Sequence, residues 1–229
     1  MKKRLISMFL VLVMALGLFP ISAFAASSTI GGALAKAGNE VHFVGRAPHM
    51  NAINEKGLVM VTPTGEETVR LSGHTTPDGI GPCDLVIVLC KAFDTAKTME
   101  EGRELVGPNT TVMSLQNGLG AEDVLCDCVG AEHVIGGETY IGGMLLEPGR
   151  VQATIPGKDT FIGELDGSVT ERTRAIGAAF DEAGMHCIVS DNIMGVIWDK
   201  LLVNVATGAV CGITHLPYGD MYAEEKLVA

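Results

Sequence analysis

Leu85-Val86-Ile87-Val88-Leu89 narrows the fold more than any other stretch. Five consecutive apolar residues, β-branched at their centre, suit a parallel strand covered on both faces rather than a strand with one wet face. The pattern continues downstream. Helical periodicity over residues 95–106 gives way to a strand over 111–115, a helix near 121–129 and a strand at Val134-Ile135. Strands alternating with helices in this way predict an open parallel sheet of the α/β class. Upstream, residues 30–37 (IGGALAKA) read as a short helix stopped by Gly38, followed by a strand at Val41-His42-Phe43-Val44 and then Gly45-Arg46. Residues 58–61 and 68–71 flank a Pro63-Thr64-Gly65 turn and read as an inserted hairpin. Residues 139–146, 151–155 and 160–162 read as extended segments, residues 170–183 as a helix, and residues 193–205 as a last helix opened by the capping residue types Ser190-Asp191-Asn192.

The first 25 residues follow a different logic. Lys2-Lys3-Arg4 precedes an apolar stretch over residues 5–19, and Ala23-Phe24-Ala25 has the small-residue form of a cleavage site. This reads first as a secretory signal peptide. A membrane anchor comes second, because it needs about 20 apolar residues and Pro20 breaks the run. A first sheet strand comes last, because the segment is long and proline cannot donate to a sheet ladder. No stable membrane anchor is expected.

The chain has 229 residues, 47% of them hydrophobic, which is ample for a packed core. Its net charge of −11 repels phosphate backbones, so nucleic-acid binding is not expected. The six cysteines include no C-x-x-C pair, and the C-x-C at Cys126 and Cys128 has no histidine at ligand spacing; no metal site is expected. They read as small buried hydrophobes of a reducing compartment, with disulfides left open for an exported chain. The six histidines form no i, i+4 pair, and G-x-S-x-G, Walker A and H-E-x-x-H motifs are absent from the sequence.

In an open α/β sheet, ligands sit beyond the carboxyl ends of the strands, so polar residues there take priority. Arg46 follows the second strand, where an Arg accommodates the 2′-phosphate of NADP; a solvated surface Arg is the alternative. Lys91 follows residues 85–89, and Gln116-Asn117-Gly118 follows residues 111–115. Asn117 offers an amide to a carbonyl or a nicotinamide, although Asn-Gly is also an ordinary turn dipeptide. Lys200 and Asn204, four apart, share a helix face within Trp198-Asp199-Lys200-Leu201-Leu202-Val203-Asn204. A lysine at the edge of an apolar cleft can supply a proton during carbonyl reduction; most such lysines are simply solvated.

Arg46, LVIVLCK at residues 85–91, QNGLG at 116–120, GELDGS at 163–168 and WDKLLVN at 198–204, in this order, resemble the ketopantoate reductase (2-dehydropantoate 2-reductase) family. The resemblance runs from about Ile30 to the C-terminus. It implies a Rossmann-like doubly wound sheet followed by an all-helical domain, and NADPH-dependent reduction of 2-dehydropantoate to pantoate in pantothenate biosynthesis, in the cytoplasm. By the same resemblance Lys200 is the general acid, Asn204 and Asn117 bind substrate, and Arg46, Lys91 and Asn117 contact NADP(H). Two departures accompany it. The glycines of the family's G-x-G-x-x-G loop fall on Ser22, Phe24 and Ser27, and the chain stops at Ala229, where the family continues through further helices. The expected organisation is a signal-like segment over 1–25, a nucleotide-binding domain over 26–191 lacking its first strand and glycine loop, and the start of a truncated helical domain over 192–229. An exported non-catalytic remnant or binding domain, and a reductase of another 2-keto acid, are the alternatives.

Overall fold

The structure, a computed structural model, describes residues 9–13, 22–224 and 226. In chain order the elements are β1 (Phe9–Val13), α1 (Ser22–Lys36), β2 (Glu40–Val44), α2 (Ala47–Lys56), β3 (Leu58–Thr62), β4 (Gly65–Val69), β5 (Ser72–His74), β6 (Leu85–Val88) and α3 (Thr95–Glu101). There follow β7 (Thr111–Ser114), α4 (Ala121–Val129), β8 (Val134–Thr139), β9 (Gly142–Glu147), β10 (Arg150–Thr154) and β11 (Thr160–Gly163). The chain continues through α5 (Glu171–Glu182), β12 (Cys187–Val189), α6 (Ile193–Thr214) and α7 (Tyr218–Ala223).

The main sheet has the order β12-β11-β8-β7-β6-β1-β2-β5. It is parallel from β5 to β8, and β11 joins antiparallel to β8. After β1 the chain builds outward through β2 and β5, then crosses back to place β6 on the other side of β1. This reversal is the switch point at which open α/β sheets bind ligands. The doubly wound α/β expectation therefore holds.

β6 shows why its sequence is apolar at every position. Leu85 and Ile87 join a core cluster with Ile30, Leu34, Phe43 and Phe180 on one face, while Val86 and Val88 join Met99, Leu105, Val112, Leu125 and Val134 on the other. Alternate side chains of one strand thus fill two separate cores. β7 and β8 divide in the same way, Met113 and Ile135 to the first cluster and Val112 and Val134 to the second.

Phe9–Val13 pairs in parallel with β2 and β6, Leu10 opposite Val41 and Leu85, Val13 opposite Val44 and Val88. This corrects the expectation that the first strand is missing, and with it the ranking that put a strand last. A short unbroken apolar run is shared by export segments and central parallel strands, and periodicity does not separate them. The proline argument does not apply, since the strand stops at Val13, ahead of Pro20. Lys2-Lys3-Arg4 and Pro20 lie outside the described residues. Ala23-Phe24-Ala25 falls within α1, which begins at Ser22 instead of Ile30.

A second, four-stranded sheet in the order β4-β3-β10-β9 was not anticipated as a unit, although its β3–β4 hairpin was. α1 lies between this sheet and the main one. A Cβ on Gly32 would meet Met60 Sδ at 2.5 Å and Leu58 Cδ2 at 2.9 Å, so any larger residue there would have to displace these two side chains of β3. The helix expected over 95–106 ends at Glu101 and continues as a separate 3-10 turn, Arg103–Leu105, while α2 and β12 were not anticipated. The Asn192 side chain caps α6 as expected, accepting from Gly195 N at 3.2 Å, but the helix runs on to Thr214. The six cysteines are free, and no metal-holding group of His, Cys, Asp and Glu occurs among the described residues.

His49 ties α2 to both neighbours. The backbone N–H of Gly149 donates to its Nδ1 at 3.0 Å, so Nε2 carries the proton and donates to Ser28 Oγ at 2.9 Å. The ring is 4% exposed, and burial lowers its pKa to about 4. The unfolded chain, titrating near 6.5, therefore takes up this proton first as pH falls. Stability from the neutral ring is complete above about pH 6.5 and is lost toward pH 4, by about 3 kcal/mol in all. Urea midpoints measured from pH 7 to 4 should show the gap between the parent and His49→Gln closing as pH drops; a constant gap would contradict the assignment.

Candidate active site

A cleft of about 520 Å³ opens beyond the carboxyl ends of β6, β7 and β8. Its wall includes Lys91, Asn117 and Lys200, together with Ala26, Gln116, Thr139 and Tyr140. Three of the residues singled out from the sequence thus share one cavity at the switch point. Arg46 and Asn204 do not line it. Arg46 stands at the start of α2 just past β2, half-buried, and Asn204 lies one turn beyond Lys200 along α6.

The two crest loops are locked together by Gln116, which is 7% exposed. Its Nε2 donates to Cys90 O at 2.8 Å and to Thr95 Oγ1 at 3.0 Å, and its Oε1 accepts from Ser114 Oγ at 3.1 Å. One amide side chain therefore fixes the loop bearing Lys91 against the loop bearing Asn117. Gly118 has φ +99°, a left-handed value that glycine adopts without strain. The turn and site readings of Asn117-Gly118 are consequently not rivals: the turn is what delivers Asn117, exposed, to the cleft.

Lys200 reaches the cleft from α6. Its Nζ donates to Glu138 Oε1 at 2.5 Å and to Thr139 O at 2.6 Å, and lies 4.9 Å from the Tyr140 ring centroid. Glu138 is 1% exposed. Burial pushes its carboxyl above the usual carboxylate range, while the hydrogen bond and charge of Lys200 and the Thr139 N–H oppose that rise. Sequence reading missed Glu138. Its one visible trace is a carboxylate inside an otherwise uncharged strand, Val134-Ile135-Gly136-Gly137-Glu138-Thr139.

The Glu164 of the GELDGS stretch serves the scaffold. It accepts from Arg172 Nε at 2.7 Å and Arg172 Nη2 at 2.5 Å, and from Thr170 Oγ1 at 2.5 Å, tying β11 to the start of α5. Burial disfavours its charged form, yet these bonds and the Arg172 charge hold its pKa below the ordinary carboxylate value.

Fold and cleft together define a Rossmann-like α/β protein with its site at the sheet crest. Residues 25–167 match the family described as ketopantoate reductase PanE/ApbA. The chain is 35% identical over 197 residues to the 2-dehydropantoate 2-reductase of Halobacterium salinarum, covering 85% of this chain and 64% of that one. Among solved structures it is similar to 2-dehydropantoate 2-reductase from Geobacter metallireducens, with a TM-score of 0.83 and 30% identity, covering 95% of this chain and 70% of that one. It is also similar to D-mandelate dehydrogenase in a ternary structure with NADH and anilino(oxo)acetate, with a TM-score of 0.83 and 26% identity over 96% of this chain and 69% of that one. The chain belongs to the ketopantoate reductase family. It spans less than two thirds of the length of the Halobacterium relative.

Replacing Gln116 by Leu keeps its bulk but leaves the Cys90 carbonyl and the Thr95 hydroxyl without that partner. Urea denaturation should show a loss of about 2 kcal/mol, and an unchanged midpoint would mean the crest loops are held by something else.

Proposed function

We propose that this protein reduces 2-dehydropantoate to pantoate with NADPH in the cytoplasm, where that cofactor is regenerated. The observation that carries the reading is the meeting of Lys91, Asn117 and Lys200 in one cleft at the switch point. The described residues suit the cofactor at its nicotinamide end. Ala26, small and near the start of α1, lets a flat ring approach the helix, and Asn117 offers an amide. Arg46 stands where an Arg meets a 2′-phosphate. At the pyrophosphate end, the positions matched to the family's glycines, Ser22, Phe24 and Ser27, fall in the first turns of α1, whose N-terminal N–H groups suit an anion. NADP(H), when bound, supplies the hydride.

The chain's own part is to hold the keto acid and manage the proton. Lys200 has three N–H bonds, two of them given to Glu138 and Thr139, and the third serves the keto oxygen. Charge grows on that oxygen as the carbonyl carbon is reduced, and a fixed ammonium stabilises it only then, which lowers the barrier rather than tightening the ground state. Proton transfer from Lys200 to the alkoxide completes the alcohol. Asn117 orients the reacting groups, and Lys91 holds negative charge at the same wall. Asn204, one turn along α6 and outside the cleft wall, is the further substrate contact.

A second reading, reduction of another 2-keto acid, is favoured by the likeness to D-mandelate dehydrogenase. A panel of 2-keto acids followed by NADPH absorbance separates the two. Turnover with 2-dehydropantoate should fall by about 10²-fold or more in Lys200→Ala, the ordinary contribution of a positioned general acid. A parent chain that neither binds NADPH nor turns over any of the panel would refute both readings. Arg46→Ala should raise KM for NADPH by about tenfold to a hundredfold, the worth of a charge-assisted hydrogen bond. KM for NADH should hardly move; equal losses for both cofactors would remove Arg46 from the 2′-phosphate.

A further inference from the structure

The Lys200 side chain departs from the ordinary habit of a lysine on an exposed helix. Around it α6 is open to solvent, with Trp198 51% and Leu202 62% exposed. A flexible four-carbon stem there ordinarily carries its ammonium into water. Instead the side chain is 12% exposed and turns inward to the end of β8. What it meets is Glu138, fixed in a strand whose six residues are all buried and held by Thr139 N at 2.9 Å.

A carboxylate in that position costs desolvation, and a buried ion pair contributes little net stability compared with an apolar pair of the same size. Its consequence is geometric. Glu138 and the Thr139 carbonyl take two of the three ammonium hydrogens, and the Tyr140 ring lies alongside. Lys200, Thr139 and Tyr140 all belong to the cleft wall, so the remaining N–H is left for a group inside the cleft.

We propose that Glu138 is a positioning residue that holds the Lys200 ammonium against the end of β8 so that one N–H stays aimed at a ligand oxygen in the crest cleft. The inference rests on the reading of Lys200 as proton donor. Glu138 touches no reacting atom and keeps its own place in the strand throughout; it acts through the lysine alone.

Two readouts separate this inference from the function it deepens. With ¹⁵N-labelled lysine, a held ammonium gives a slowly exchanging Nζ correlation, assigned to Lys200 by its disappearance in Lys200→Met. In Glu138→Gln that correlation should vanish or shift. With 2-dehydropantoate and NADPH, kcat should fall by about 10²-fold, the cost of a misplaced catalytic group, with KM changed less than about threefold. Glu138→Asp, which keeps the charge on a shorter stem, should give an intermediate kcat, and it carries the test if the Gln variant does not fold. A Gln or Asp variant that keeps both the correlation and the parental kcat overturns the proposal. A parent chain that is inactive while its Lys200 correlation is lost in Glu138→Gln refutes the proposed function and leaves the positioning role standing.

Discussion

The burial of β6 on both faces is the constraint from which the rest of the molecule follows. A strand flanked by β1 and β7 and covered above and below has no room for a polar side chain along its length. Polar chemistry is therefore expelled to the ends of the strands. At the carboxyl end the chain must turn, and its turning residues find themselves beside one another because the strands are parallel and in register. Lys91 and Asn117 meet for that reason, and Gln116 turns their proximity into fixed geometry.

Lys200 arrives by a different route, and the sheet makes room for it. A Cβ on Gly136 would come within 2.9 Å of Ile193 Cγ1, and one on Gly163 within 3.0 Å of Ile193 Cβ. Two glycines, one each from β8 and β11, let the first turn of α6 sit directly on the sheet, where Ile193 and Ile197 are each 1% exposed. Beyond that anchorage the helix leaves the sheet, with Val205 61% and Ile213 81% exposed. Lys200 lies near the boundary between the two regimes, close enough to the sheet to reach Glu138 and far enough along to reach the cleft.

The legible part of this architecture was what hydrophobic periodicity and punctuation encode. The β6-to-β8 alternation, the Gly38 stop after α1, the hairpin at Pro63-Thr64 and the Asn192 cap are local matters, decided within a few residues. Lys91, Asn117 and Lys200 were legible because strand ends and helix faces can be located from the same patterns. Glu138 was not, since its meaning lies in a partner sixty-two residues away, and no local pattern marks a carboxylate as paired. β1 is hard to read from the sequence for the opposite reason. Its apolar run carries a strong local pattern, but one that two physical tasks share, and only the pairing with β2 and β6 decides between them.

Buried charge in this molecule divides according to whether a cation can reach it. Glu164 meets the forked donors of Arg172 and is held low, in the ionised form. Glu122, 4% exposed in the first turn of α4, has one carboxyl oxygen without a hydrogen-bond partner, and burial raises its pKa, favouring the neutral acid. Glu138 lies between these cases. It is as buried as Glu122, yet its partner is a lysine on a different element, so the ionisation of Glu138 depends on where α6 puts that lysine. Without Lys200 the buried carboxylate would keep the Thr139 N–H alone against its desolvation, and protonation would be favoured. The packing of one helix turn on two glycines and the electrostatics of the cleft are thus a single property of the fold.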